Sequence, residues 1–547
     1  MRVKIRNLRN LNMSENIEIN RLNIVVGKNS SGKSSFLRFF PLMKQSVETK
    51  SVSPVLWYGN YVDFGSFEEA RCAYRQEPIE ISFSTNVKES LLGNTIVVNA
   101  LNNKFYLQRF LRQSFNRDRY NEFIDFSYSI GLIKDEIKKV KFSFDGNLIE
   151  LNGVNDSVNI KINERQVKYT ENIIIKNNSG NTIIPINLFL KEKEKQKINS
   201  LSNISYNTSH FYFDNMYGEG FVSGFVYIEM KKILQNLARK GTKKENVEDA
   251  VYKILKFGFF NFLISMKSGE ININIPKQIE KRLFDCQYSE KKDRIIDLLL
   301  INEFNNYILI ANHSFLELTN RIDYIAPLRA TAERYYRKQS LLTSKIDSRG
   351  ENVHAFIDSL NDKEREKLNS WLLQHFGFKI DKSLSTSHNS IYITDKMTNI
   401  QSNMADCGFG YSQLLPIILQ VWLILQEEHK KEKDDVIDNK LDRLIIIEQP
   451  ELHLHPALQA NLIDAICNLV NIAKKHDEYI NFIIETHSET IVNRVYNMTE
   501  LKKFDPEDLQ ILIFDKDNLG DAIIEKSYIS DNSIINWPFG FFAPEVN

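Results

Sequence analysis

Apolar positions fall into a few repeating patterns along the chain. Short blocks that stop at polar residues stand at Leu22–Val26, Leu444–Ile447 and Tyr479–Ile484. Each has the length and continuity of a strand buried on both faces. Helical spacing follows each block: Phe36, Phe39, Phe40 and Met43 within 33–48, then 457–475, then 488–497. Pro41 should distort the first of these helices. Strand followed by helix, repeated, predicts a parallel sheet. Alternating segments occupy the first eight residues (Val3, Ile5, Leu8) and the stretch from 79 to about 190. The clearest is KVKFSFDGNLIEL (139–151), two strands around an Asp145-Gly146 turn, and Ile160–Ile175 is also strand-rich. Residues 190–320 read as helical and charged, with LKEKEKQK (190–197) and ARKGTKKENVED (238–249) as exposed connections. A strongly apolar helix at 411–428 precedes a charged linker, HKKEKDDVIDNKLD (429–442). Leu509–Phe514 and Ala522–Tyr528 form a strand pair around Asn518-Leu-Gly520.

Composition narrows the class. The 547 residues allow three or more units, or one large domain with insertions. With 42% hydrophobic and 26% charged residues, general disorder is excluded. Lys+Arg and Asp+Glu are 70 each, which excludes a globally basic nucleic-acid coat protein but not a local basic groove. Cys72, Cys286, Cys407 and Cys467 are scattered, so neither a disulfide framework nor a cysteine zinc site is expected. The N-terminus lacks a signal-peptide core, and no apolar run of about 18 residues stands out. A soluble, cytoplasmic protein with no membrane contact is expected.

The chemistry concentrates where apolar blocks end. Gly27-Lys-Asn29-Ser30-Ser31-Gly32-Lys33-Ser34 matches G-x-x-x-x-G-K-[ST], between a strand and a helix. Glycines let backbone N–H groups wrap phosphates. Gly27, Asn29, Ser30, Ser31, Gly32, Lys33, Ser34 and Ser35 are the candidate ATP-binding set. Lys33 is assigned to the β- and γ-phosphates and Ser34 to Mg²⁺. The competing reading is a plain Gly/Ser turn. The second block ends in Glu448-Gln449-Pro450-Glu451. Glu448 suits the carboxylate that, with Ser34, faces the metal. Gln449 stands where many such enzymes place a water-orienting glutamate; a glutamine orients water but takes no proton. Glu451 is the candidate substitute. His453 and His455 read as a polar turn more readily than as a metal pair. The third block ends in Glu485-Thr-His487-Ser488. His487 is placed to polarise a γ-phosphate; the alternative is a helix start capped by Ser488.

In this order GKNSSGKS, IIIEQPELHLHP and IIETHSE resemble the ABC-type ATPase heads of SMC, recombination-repair and OLD-family proteins. VLWYGNYVDFGSFEEA (55–70), YIAPLRATAERYYR (324–337) and WPFGFF (537–542) bring the likeness closest to AAA-type ATPases of bacterial anti-phage defence, including the PtuA ATPases of Septu and retron-associated systems. The resemblance covers roughly 1–85 and 320–547. It implies an α/β, ABC-type P-loop head with a mixed sheet, split by a long α+β insertion. The expected division is an N-terminal lobe at 1–90, an insertion at 91–320 and a C-terminal lobe at 321–547.

The resemblance also implies heads that dimerise, or form a higher even oligomer, around ATP and Mg²⁺. Gly408-Phe-Gly410-Tyr-Ser412-Gln413 looks like the signature that contacts the partner's γ-phosphate, so Gly410 and Ser412 join the ATP-binding set, although a helix-capping loop fits too. Gln76 is a candidate glutamine between lobes. Arg329, Arg334 and Arg337 could face ATP, nucleic acid or carboxylates.

Asp515 and Asp517 read as the rim of a hairpin rather than a nuclease centre. The basic residues Lys231, Lys232, Arg239, Lys240, Lys243 and Lys244 are interleaved with acids and read as a solvated helix face. A family nuclease would therefore be a separate subunit of HNH type, and the insertion could contact it, a reverse transcriptase–DNA complex or other nucleic acid. The alternative to a defence ATPase is a stand-alone DNA-repair ATPase.

Overall fold

The apolar blocks assemble into one sheet, in the order Ile322–Ile325, Arg443–Glu448, Ile480–Glu485, Leu22–Gly27, Leu509–Lys516, Ala522–Ser530 and Ser533–Ile535. The first five strands run parallel, and the C-terminal hairpin adds two antiparallel ones. This computed structural model describes residues 1–49, 53–88, 123–134, 136–154, 157–177, 182–184, 186–191, 220–337, 345–384, 388–426, 437–438, 443–530 and 533–535. The WPFGFF segment, most of the charged linker and residues 192–197 of LKEKEKQK lie outside them.

The continuous apolar character of the central strands follows from burial on both faces. Leu444 and Ile446 enter one core, while Ile445 and Ile447 enter the other, as alternation along a strand requires. The first core also takes in the helix Lys33–Glu48, which runs through Pro41 without a break in its assignment. Phe36 of that helix lies 5.6 Å from Phe514, and Phe39 stacks on Phe83 at 5.8 Å. The helix therefore bridges the parallel sheet and a second, antiparallel one. Gln45 ties it to the 55–70 segment: its amide donates to the carbonyls of Leu56 (2.7 Å) and Val62 (3.2 Å), and its oxygen accepts from the amides of Tyr61 and Val62.

The antiparallel sheet runs Arg165–Gln166, Ser157–Ile162, Asn147–Val154, Glu136–Phe144, Phe123–Ile133, Ile79–Lys88, Arg2–Leu8 and Leu11–Asn12. It joins strands from both sides of residue 90 into one surface. The hairpin expected at Asp145-Gly146 is present, with Phe144 opposite Asn147 and both turn residues at positive φ. Part of ARKGTKKENVED is helical rather than connecting, because Lys244–Phe257 forms a helix. Lys231 and Lys232 are paired with Glu248 and Glu229, as expected of a solvated face.

The apolar helix spans Phe409–Gln426. It is long and apolar enough to cross a membrane, although no such run stands out in the sequence, but most of it is buried inside the second core. All four cysteines are free thiols.

The long helix Ser289–Asn320 carries a buried acid, Glu303. One carboxylate oxygen accepts from the Phe259 amide (2.9 Å), at the start of the helix Phe259–Ser268, and the other accepts from Tyr307 Oη (3.2 Å). Burial pushes this carboxyl up to about 8. A raised acid stabilises the fold fully below its ordinary value of 4.5, and that contribution is lost as pH rises through 8. Glu303→Gln should therefore flatten the fall in melting temperature between pH 5 and pH 8, about the window set by those two values. An unchanged slope in thermal melts would show that Glu303 does not cause it.

Candidate functional site

Sheet register brings the ends of three strands together. Glu448 lies opposite Glu485, and Glu485 lies opposite Val25 of the strand that enters the phosphate loop. The neighbouring strand Leu509–Lys516 constrains the loop from the other side. Gly27 has φ 152, and a Cβ there would sit 2.2 Å from the Phe514 carbonyl oxygen, so only glycine fits. Ser30 is left-handed at φ 61, and Gly32 caps the helix at φ 105 without a side-chain hydrogen bond. The helix N-terminus thus keeps its amides for an anion.

Lys33 folds back into the loop. Its Nζ donates to the carbonyls of Gly27 (2.9 Å) and Lys28 (2.7 Å), and burial lowers its pKa against the opposing field of Glu485. Ser31 is fully buried, and among the described residues its hydroxyl has no partner. A glycine-built cradle, a buried ammonium and an orphaned hydroxyl fit a bound phosphate. Asn29 and Ser30 are exposed on the loop, while Ser35 is buried behind it. Asn10 donates to the Ser30 carbonyl (3.3 Å), and Asn12, Tyr74 and Arg75 converge on Asp521, bracing the hairpin behind the loop. Gln76 is exposed.

Ser34 meets a different carboxylate from the one expected. Ser34 Oγ donates to Glu485, 3.0 and 3.2 Å from its two oxygens, rather than to Glu448. Glu448 is engaged elsewhere: Arg38 Nε donates at 3.0 and 3.1 Å, Arg38 Nη2 at 2.8 Å and Tyr324 Oη at 2.7 Å. The Glu448 hydrogen bond raises the Arg38 guanidinium above its already high value, and burial raises the Tyr324 phenol. Burial, helped by the Glu448 charge and opposed by Ser34 and Lys33, pushes Glu485 up to about 7. In the sequence Glu485 is overshadowed by the Thr-His that follows it; its signal is a carboxylate at the C-terminal end of an apolar strand.

Gln449 turns left-handed at φ 44, and its amide donates to the Glu485 carbonyl at 2.9 Å. Glu451 is a brace. Its oxygens accept from Thr486 Oγ1 (2.9 Å) and the His487 amide (2.8 Å). His487 is exposed, with its pKa lowered by partial burial and by the field of Lys33, so the neutral imidazole prevails at pH 7. Ser488 caps the following helix, accepting from the Ile491 amide at 3.3 Å, so the capped helix start and the exposed histidine coexist. His455 caps the helix Pro456–Lys475, and the His453 ring lies 5.6 Å from that of Phe409, tilted by 41°. Among the described residues no group of three or more His, Cys, Asp or Glu is placed to hold a metal ion.

In the signature segment, a Cβ on Gly410 would lie 3.1 Å from the His453 carbonyl. The Ser412 hydroxyl is buried and donates to the Phe409 carbonyl (2.9 Å), because the helix starts at Phe409, earlier than expected. It is Phe409 that is exposed. The arginines divide as well. Arg334 pairs with Asp406, and Arg337 is exposed in a short edge strand. Arg329 is buried beside the site, donating to the Glu448 carbonyl at 2.8 Å, and burial lowers it to about 10. Its backbone exchanges hydrogen bonds with the side chain of Gln413, linking the signature helix to the acidic strand. Asp515 pairs with Lys28, and Asp517 accepts from the amides of Leu519 and Asp521, which makes both part of the hairpin rim.

The AAA ATPase domain family (AAA_15) matches residues 1–492. The chain belongs to that family. This AAA-type ATPase is therefore a nucleotide-binding protein. No curated protein matches it. Among solved structures it is similar to the Smc head domain with an extended coiled coil bound to the C-terminal domain of ScpA, derived from Pyrococcus furiosus, at 11% identity over 96% of each chain with a TM-score of 0.31. It is also similar to the SmcHead bound to the C-winged helix domain of ScpA, at 9% identity over 97% of each chain with a TM-score of 0.31.

Proposed function

We propose that this ATPase is a slow, cytoplasmic ATP switch whose heads pair around Mg·ATP and control a separate nuclease subunit of HNH type in anti-phage defence. One observation carries the slow-switch reading. The position after the acidic strand holds Gln449, whose backbone is pinned to Glu485, while the nearby carboxylate of Glu451 is spent on Thr486 and His487. ATP bound there meets phosphate-binding groups but no free carboxylate at the usual base position. Binding energy then shifts a conformational equilibrium instead of driving rapid turnover. Pairing is supported by the likeness of Gly408–Gln413 to a signature segment and by the exposure of Phe409 within it. The nuclease and defence roles are supported by the likeness of EQPELHLHP, YIAPLRATAERYYR and WPFGFF to PtuA-type ATPases.

Light scattering with and without Mg·ATP tests the switch. The mass of the particle should rise by a whole-number factor with nucleotide and fall back after Mg²⁺ chelation. An unchanged mass removes nucleotide-driven pairing. Co-purification of the chain from its native gene cluster should bring down an HNH protein. Turnover stimulated by DNA ends in the absence of any partner would favour a repair ATPase instead.

A further inference from the structure

Two carboxylates reach the end of the parallel sheet at one level, and only one of them is free for a cation. Glu448 accepts three hydrogen-bond contacts from Arg38 Nε and Nη2 and a fourth from Tyr324. It has a charged partner and a neutral one, and its carbonyl is held by Arg329. Glu485 is 2% exposed, and among the described residues it takes part in no ion pair. Its hydrogen-bond donor is the hydroxyl of Ser34. Glu485 also stands on the strand adjacent to the phosphate-loop strand, whereas Glu448 is one strand further away, about 4.8 Å by ordinary strand spacing. A buried carboxylate without an ion-pair partner is met by a metal or takes up a proton.

We propose that the metal-facing carboxylate of this ATPase is Glu485, acting with Ser34, and that Glu448 anchors Arg38 and Tyr324 instead. The proposal rests on the ATP-binding reading above. Mg²⁺ sites of this kind use one or two carboxylates together with the substrate's phosphates. Ser34 supplies a hydroxyl from the helix start, and Glu485 faces it directly. Glu448 would have to abandon a bidentate guanidinium to do the same, leaving Arg38 without its anion.

The test measures binding rather than turnover. A fluorescent ATP analogue is titrated into wild-type protein, Glu485→Gln and Glu448→Gln, once with Mg²⁺ and once with EDTA. Glu485→Gln should lose the Mg²⁺-dependent gain in affinity, a change of about tenfold or more, while keeping the EDTA affinity of wild type. Glu448→Gln should keep the Mg²⁺-dependent gain. Retention of that gain in Glu485→Gln overturns the assignment. No binding by wild type under either condition overturns the ATP-site reading, and the assignment falls with it. Should Glu485→Gln not fold, Glu485→Cys provides a second readout. Sulfur prefers softer ions, so this variant should shift the metal preference of analogue binding from Mg²⁺ toward Cd²⁺, and Glu448→Cys should not. The reverse pattern overturns the proposal.

Discussion

Gln449→Glu is expected to raise ATP turnover by about 10²- to 10⁴-fold, the range that a positioned general base contributes. The position is prepared for it. The left-handed backbone at φ 44 and the hydrogen bond from the Gln449 backbone N–H to the Glu485 carbonyl fix where the side chain leaves the chain. Neither feature depends on whether the side chain ends in an amide or a carboxylate. Glutamine can align a water but cannot accept its proton, so the change supplies the missing half of the chemistry while leaving the shape almost untouched. Glu451 does not duplicate the role, because moving it would release both the Thr486 hydroxyl and the His487 amide. The measurement is phosphate release, with Lys33→Ala as background. Wild-type turnover equal to that of Gln449→Glu would mean that another group already takes the proton, and the slow-switch reading would fall.

The strands and helices around the site were legible because each carries a strong local pattern. Leu444–Ile447 and Phe482–Ile484 are apolar at every position since both sheet faces are buried, and Gly27 and Gly32 mark backbone that other residues cannot adopt. Pairing was not legible. Ile322–Ile325 is too short to announce itself, and its place beside Arg443–Glu448 is decided by long-range register. The same is true of the antiparallel sheet, where Arg2–Leu8 pairs with Ile79–Lys88 far along the chain. The partners of the acids also depend on such contacts. Arg38 lies one helical turn after Ser34, and Tyr324 sits in an unremarked strand, yet together they decide that Glu448 is occupied. Ser412 shows a smaller failure of the same sort: the helix begins two residues earlier than expected, at Phe409, and the Ser412 hydroxyl is buried against the Phe409 carbonyl.

Lys33→Ala should weaken ATP binding by about two orders of magnitude. The size follows from the bonds at stake. Hydrogen bonds to a charged group are worth roughly 1.5–3 kcal/mol each, and each decade of affinity is about 1.4 kcal/mol. In the present geometry Lys33 is 4% exposed and its ammonium is held by the carbonyls of Gly27 and Lys28. It is therefore already desolvated, and it needs only to exchange carbonyl oxygens for phosphate oxygens. That preorganisation keeps most of the charge–charge energy available for binding. The alanine variant also leaves the two carbonyls without this donor, so a modest drop in melting temperature should accompany the loss. The two effects separate cleanly when affinity is measured calorimetrically at a temperature where melts show the variant folded. The weakening should appear with EDTA as well as with Mg²⁺, because Lys33 acts on the phosphates directly. This distinguishes it from Glu485→Gln, whose deficit should be confined to the metal-dependent part. Wild-type affinity in folded Lys33→Ala would mean that the loop holds no phosphate, despite its glycines and its buried hydroxyl at Ser31.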